Sequence, residues 1–216
     1  MNYEESEGMK VVEQGIKYGP FKNIKPLSFH LVRLRFTYEE PFLILKEAQR
    51  SIDISHWGNI AFEEYFDMHN IGAVLLGEYS RVDADQHRYA LNCANSVKAK
   101  LPYYIQSLYV RDFIGNMTAA KAVRNEKDVT LSLLPRFQVC GGWKTDWSQF
   151  YNIPTKYHLK NKIDDRDLYV FNYTYLHDYD VLIAENYTVE ITLPYGAHDI
   201  EVSHKLLFSI IECLFV

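Results

Sequence analysis

Several residue types are scarce, and each shortage narrows the chemistry open to this chain. It holds three cysteines, Cys93, Cys140 and Cys213, too few and too scattered for a disulfide framework or a paired CxxC metal site. One disulfide with a leftover thiol, or three free thiols, both stay open. Lys and Arg number 23 against 28 Asp and Glu, for a formal net charge of −5. That balance supplies no phosphate-neutralising surface, so no nucleic-acid partner is expected. There is no run of 18 apolar residues; the terminal LLFSIIECLFV is short and contains Glu212. The opening MNYEESEGMKVVEQG lacks the basic start and apolar stretch of a secretory signal. Taken literally, the chain reads as soluble and cytosolic.

The usual catalytic spacings are also missing. The eight histidines form neither HxxxH nor HExxH, and no GxSxG elbow occurs. Gly141-Gly142 runs into Trp143-Lys144 with neither phosphate-cradling spacing. Glu39-Glu40 and Glu63-Glu64 are sequence neighbours, which a strand turns to opposite faces, so neither makes an acid–base pair. Nothing places a histidine beside Cys140. His177-Asp-Tyr-Asp180 reads as a solvated turn rather than a cation site. Asp164-Asp-Arg-Asp167 lacks the EF-hand order and reads as a charged hairpin loop. No catalytic, cofactor-binding or metal-ligating residue is expected, and no cofactor.

What is abundant is aromatic surface, with 17 Tyr and 12 Phe, residues that favour strands. Alternation of period two dominates. Phe29–Tyr38 reads as a strand, and Gln49–His56 sends Ile52 and Ile54 inward with Ser51, Asp53 and Ser55 outward. Ala61–Met68 is its partner across the Gly58-Asn59 turn. Further strands are expected at Ile105–Val110, Val129–Leu134, Leu168–Leu176 and Tyr187–Leu193. In the third of these, Tyr169, Phe171, Tyr173 and Tyr175 line one face, which suits aromatic packing in a sheet. Tyr89, Cys93, Val97 and Leu101 recur every four residues before Pro102, which predicts one short helix near 89–101. The fold class is mainly β, an antiparallel sandwich. In CGGWKTDW (140–147), the glycine pair reads as a turn between strands, and Trp143 as packing rather than ligand-stacking. Asn116-Met-Thr118, Asn172-Tyr-Thr174 and Asn186-Tyr-Thr188 are N-glycosylation sequons, which conflict with the cytosolic reading.

Ordered blocks resolve that conflict. They are Tyr18-Gly-Pro-Phe21; Ser55-His56-Trp57-Gly58-Asn59-Ile60-Ala61 with Glu63-Glu64; His69-Asn-Ile-Gly-Ala-Val-Leu75 with Gly77 and Ser80-Arg81; Tyr109-Val-Arg111-Asp112 with Ile114-Gly-Asn116; Pro135-Arg136-Phe137; Gly141-Gly142-Trp143-Lys144-Thr145; Tyr151-Asn-Ile-Pro154; and Leu193-Pro-Tyr-Gly-Ala197. Together, over residues 18–200, they resemble the ribophorin I family, a subunit of the eukaryotic oligosaccharyltransferase. The resemblance implies an endoplasmic reticulum membrane protein with two β-rich lumenal domains, whose membrane span is missing from this chain, and this segment lumenal. It implies a non-catalytic scaffold that supports N-linked glycosylation of nascent proteins. Its partners would be the other oligosaccharyltransferase subunits, the nascent polypeptide and the translocon. The expected layout is a remnant of the first lumenal domain (1–48), a second lumenal domain (49–202) and a divergent tail (203–216), the ends reflecting truncation. His56, Trp57, Gly58, Asn59, Arg111, Asp112, Arg136, Gly141, Gly142, Trp143 and Lys144 are expected to be structural. Asn116, Asn172 and Asn186 are candidate glycan acceptors. The alternative is a stand-alone carbohydrate- or peptide-binding sandwich, with Trp143, Trp147 and the tyrosine stripe as its platform.

Overall fold

The computed structural model describes residues 2–3, 9–12, 15–19, 21–29, 34–35, 40–75, 77–86, 92–162, 165–205 and 210–215. The chain divides into two units, Met1–Glu39 and Glu40–Val216. In the first, β1 (Asn2–Tyr3), β2 (Met9–Val12), β3 (Gly15–Tyr18) and β4 (Leu34–Arg35) form two antiparallel pairs, β1 with β4 and β2 with β3. Of the strand expected at Phe29–Tyr38, only Leu34–Arg35 is seen; residues 30–33 and 36–38 lie outside the described residues.

The second unit opens with β5 (Leu43–Ile54) and β6 (Asn59–Asn70), a long hairpin whose turn is residues 55–58. The division between Glu39 and Glu40 precedes β5, whereas the boundary expected after residue 48 falls within it. Alternation builds the hairpin. Ala48, Arg50, Ile52 and Ile54 are buried on one strand, and Ile60, Phe62, Glu64, Phe66 and Met68 on the other. Fully burying an aliphatic or aromatic side chain of this kind contributes about 1.5–3 kcal/mol.

There follow α1 (Arg81–Asp85), β7 (Cys93–Ala94), β8 (Val97–Pro102), β9 (Gln106–Arg111), β10 (Lys121–Arg124), β11 (Asp128–Leu133), β12 (Val139–Cys140) and β13 (Lys144–Pro154). After a 3-10 turn at Thr155–Tyr157 come β14 (Leu159–Lys162), β15 (Asp165–Thr174), β16 (Ile183–Thr192), β17 (Glu201–Lys205) and β18 (Ile210–Phe215). The largest sheet has the order β16-β5-β6-β13-β9. Its inner face meets residues of the β10-β11-β8 and β14-β15-β18-β17 sheets in one hydrophobic cluster. β8 meets the segment that follows β15, where Ala99 bridges Tyr179 and the Lys100 N–H donates to the Asp178 carbonyl at 3.0 Å. The class is mainly β, as the alternation predicts. One pairing departs from the antiparallel expectation, because β16 runs parallel to β5. The chain re-enters the sheet with Ile183 beside Ile44, at the end where β5 begins, so the two strands run the same way.

The helix expected near 89–101 is not there. Residues 93–94 and 97–102 are β7 and β8; 87–91 lie outside the described residues, and the short helix is Arg81–Asp85, N-capped by Ser80. A repeat of four is also a multiple of two, so Cys93, Val97 and Leu101 satisfy a strand equally well. The exposed Lys98 and Lys100, alternating with buried Val97, Ala99 and Leu101, decide it. Conversely β13, a central strand, was hidden because Gln149 sits on its buried face between Trp147 and Tyr151. Residues 203–216, expected as a divergent tail, include β18, which pairs along β15 from Tyr169–Phe215 to Thr174–Ile210.

Candidate functional site

Within the second unit, several of the family-like blocks lie at the two ends of the large sheet, and a buried charge cluster lies in the core beneath it. At the β6–β13 end the chain turns a tight corner around Asn70. Its Nδ2 donates to the carbonyls of Asn92 and Val139, both at 2.9 Å, and its Oδ1 accepts the Gly72 N–H at 3.0 Å. Its backbone N–H donates to the Trp143 carbonyl at 2.9 Å, and its carbonyl accepts the Gly142 N–H at 2.7 Å. Asn70 is 1% exposed, so each of these bonds satisfies a group with no access to water. Gly142 has φ +84°, and a Cβ on Gly141 would stand 1.8 Å from the Ala73 carbonyl oxygen. The glycine pair therefore provides one left-handed turn residue and one close backbone approach, as a turn between strands requires. Cys140 and Cys93, facing each other across β12 and β7, form a disulfide; Cys213 is the free, buried thiol. Trp143 is half-buried between Tyr79 and Phe137, at ring distances of 5.1 and 5.9 Å. Lys144 is exposed at the start of β13.

On the β9 side, Asp112 and Arg136 clamp a loop. Asp112 Oδ1 accepts the N–H groups of Ile114 and Gly115 at 3.0 and 2.9 Å. Arg136 Nε donates to Asp112 Oδ2, and Nη2 to Oδ1 at 3.0 Å. This fork holds the Asp112 carboxyl below its usual range, through the Arg136 hydrogen bond first and the Gly115 and Ile114 N–H groups after, against the burial that raises it. Held by the clamp, Phe113 and Ile114 stand 84% and 63% exposed. Arg111 lies over the Phe150 ring at 4.8 Å. The opposite end of the sheet carries His56, Trp57 and Gly58 in the β5–β6 turn, while Asn59 Nδ2 donates to Asn152 Oδ1 at 3.2 Å.

The core holds a charge cluster that the site reading missed. Arg50 Nε donates to Glu64 Oε1, Nη2 to Asp178 Oδ2 at 2.6 Å, and Nη1 to the carbonyls of Thr174 and Leu176 at 3.1 and 2.9 Å. Gln149 Nε2 donates to Glu64 Oε2, and the Tyr179 hydroxyl donates to Gln149 Oε1 at 2.8 Å. The Trp147 indole N–H donates to the Tyr179 hydroxyl at 3.0 Å. Burial alone would lower the Arg50 pKa, but the Glu64 and Asp178 carboxylates outweigh it and hold the guanidinium firmly charged. Burial pushes Asp178 up to about 6, with Arg50 opposing. Burial, then Arg50, lowers His177. The signal was present: counting out from the 55–58 turn, Ile54 faces Ile60, Ile52 faces Phe62, and Arg50 faces Glu64. Opposite charges thus meet on otherwise apolar faces.

This arrangement draws the residues of the His177–Asp180 turn to separate partners: Asp178 to Arg50, and Asp180 to Lys100 at 3.1 Å. Among the described residues no group of three His, Cys, Asp or Glu is placed to hold a metal ion. Asp164 lies outside the described residues; 165–167 begin β15. Of the aromatic platform considered for a ligand, Trp147, Phe171 and Tyr173 are core, at 1%, 0% and 4% exposure, while Trp143, Tyr169 and Tyr175 are half-buried. Tyr173 packs at a tilt against Phe62, on which Tyr151 stacks, and the Tyr151 and Tyr173 hydroxyls approach at 3.4 Å. The three sequon asparagines Asn116, Asn172 and Asn186 are all exposed. Among the described residues no helix is long and apolar enough to cross a membrane.

A profile of the Ribophorin I family matches residues 1–212. "Dolichyl-diphosphooligosaccharide--protein glycosyltransferase subunit 1A" of Arabidopsis thaliana is 31% identical over 204 residues, 94% of this chain and 33% of its own length. Subunit 1 of the same-named glycosyltransferase from Caenorhabditis elegans is 33% identical over 180 residues, 82% of this chain and 30% of its own length. The chain therefore spans about a third of the length of these relatives. Among solved structures, an M1 zinc metallopeptidase from Deinococcus radiodurans overlaps 83% of this chain and 40% of its own, at 9% identity and a TM-score of 0.43, too remote to bear on function. The match over residues 1–212 establishes that the chain belongs to the Ribophorin I family.

Proposed function

We propose that this chain is a non-catalytic, lumenal scaffold part of the oligosaccharyltransferase complex, supporting N-linked glycosylation of nascent proteins at the endoplasmic reticulum membrane. Relatives named as subunit 1 of that glycosyltransferase carry the reading. Three features of the chain support it. The Cys93–Cys140 disulfide suits an oxidising compartment. Asn116, Asn172 and Asn186 are exposed, so each sequon has room for a glycan. The Asp112–Arg136 clamp holds Phe113 and Ile114 out in water, an arrangement that suits contact with another protein better than chemistry. The partners are the other subunits, with the nascent polypeptide and the translocon close by, and the membrane is reached through a span outside this chain.

Depletion and complementation test the reading. Cells deprived of the protein should leave acceptor sequons of other glycoproteins unfilled, with occupancy restored on re-expression. Unchanged occupancy would contradict it.

A further inference from the structure

Two turns meet at the end of the large sheet opposite the disulfide. In the first, Ser55 to Gly58, the Gly58 N–H approaches the Ser55 carbonyl at 3.4 Å; in the second, Pro194 to Ala197, the Ala197 N–H donates to the Pro194 carbonyl at 3.2 Å. His56 Nε2 lies 3.4 Å from the Tyr195 carbonyl oxygen, which brings the turns side by side. Each turn sets an aromatic residue directly before a left-handed glycine: Trp57 before Gly58 (φ +82°), and Tyr195 before Gly196 (φ +94°). Trp57 is 94% exposed and Tyr195 100%. Holding two large rings in water is an arrangement the fold alone does not call for.

Between the turns lies a cavity of about 310 Å³, lined by Ser55, His56, Thr155, Tyr169, Tyr195 and Phe215 among others. None of its lining residues is Asp, Glu, Lys or Arg, and His56 is its one imidazole, so it offers no carboxylate to a cationic ligand and no permanent cation to an anionic one. It does offer hydroxyls from Ser55, Thr155 and Tyr169, and aromatic surface from Tyr169, Tyr195 and Phe215. A pyranose ring has the matching chemistry, with an apolar C–H face for an aromatic ring and a rim of neutral hydroxyls. A purely apolar side chain would cover the Thr155 and Tyr169 hydroxyls without giving them a partner.

We propose that this groove binds a neutral, pyranose-containing oligosaccharide, with Tyr195, which lines it, and Trp57, exposed in the adjoining turn between the lining residues His56 and Gly58, as stacking rings, and Ser55 and Thr155 as hydrogen-bonding groups. It differs from the platform of Trp143, Trp147 and the tyrosine stripe: Trp147, Phe171 and Tyr173 are core, Trp143 packs between Tyr79 and Phe137, and of the stripe Tyr169 lines this groove. The proposal concerns the chain by itself and does not depend on its place in a complex.

The test is amide NMR on the isotope-labelled full chain, titrated in turn with maltotriose, mannotriose and a neutral, unstructured peptide. Saturable shifts at residues 55–58, 155 and 195–197 with a trisaccharide are expected. Trp57→Ala and Tyr195→Ala should each weaken binding by about tenfold or more, while Trp57→Phe retains most of it. Both sites are on the surface, so thermal unfolding should stay unchanged and serve as the folding control. No saturable shift with either trisaccharide overturns the proposal. So does saccharide binding that survives both alanine substitutions in a folded chain. Shifts produced by the peptide alone would overturn it too, and would assign the groove to peptide.

Discussion

At the level of single residues, Asn70 and Gly141 hold the corner where the His69–Leu75 and Gly141–Thr145 blocks meet. Replacing Asn70 with Ala strips the buried Val139 carbonyl, and the part-buried Asn92 carbonyl and Gly72 N–H, of their partner. Each such loss costs about 1–3 kcal/mol. Asn70→Ala should therefore lower stability by about 3 kcal/mol in denaturant unfolding; a change within about 0.5 kcal/mol, the range of ordinary surface substitutions, would contradict this account. Gly141→Ala forces a Cβ onto the Ala73 backbone and should cost about 3 kcal/mol, at the upper end of overpacking. Gly77→Ala is the comparison: with φ +91° and nothing within 4 Å of its would-be Cβ, it should cost about 1 kcal/mol, by conformation alone. The sequence made the glycine pair legible as a turn, and Trp143 as a packing residue. It did not make legible the role of Asn70, because an asparagine that bonds three backbone groups looks the same, residue by residue, as one that faces water.

At the level of elements, the Arg50–Glu64–Asp178 cluster ties β5 and β6 to the segment after β15. Removing one partner strands a buried charge, so Arg50→Met should cost about 3–5 kcal/mol. Arg50→Met with Glu64→Leu should recover part of that loss in the double-mutant cycle; simple additivity would argue against coupling. The sign of the pH effect follows from Asp178. Its folded pKa of about 6 lies above the ordinary value near 3.9, so the folded state binds the proton more tightly. Its contribution is fully present below the unfolded pKa and is lost as pH rises through about 6. His177, whose pKa is lowered, works in the opposite direction, losing stability as pH falls below its ordinary value. The comparison with Asp178→Asn isolates the carboxyl: on acidification from about pH 7 to 5, stability relative to that variant should move in favour of the native chain. A move the other way would contradict the assignment. The hairpin was legible because Ile52 and Ile54 on one strand and Phe62, Phe66 and Met68 on the other alternate on either side of a turn that carries a glycine. The helix near 89–101 failed because a four-residue repeat fits both periods, and β13 was overlooked because Gln149 interrupts its apolar face. The parallel placement of β16 depends on where the chain re-enters the sheet, which local pattern does not encode.

At the level of the molecule, the disulfide closes a separation of 47 residues, worth about 4 kcal/mol by loop closure. Cys93→Ala with Cys140→Ala should lower the unfolding midpoint accordingly, and an unchanged midpoint would remove the bond from the account. The family was legible from ordered blocks although no single motif was diagnostic, and within the second unit several of those blocks lie at the ends of the large sheet. Those ends present Phe113 and Ile114 at one place, and Trp57 and Tyr195 at another. The most direct test of membership in the complex is affinity purification of the tagged protein from microsomes, with the co-recovered chains identified by mass spectrometry. Recovery of the catalytic oligosaccharyltransferase subunit, reduced by Phe113→Asp with Ile114→Asp while the protein stays folded, is the predicted result. Recovery of the protein without that subunit would contradict the central claim.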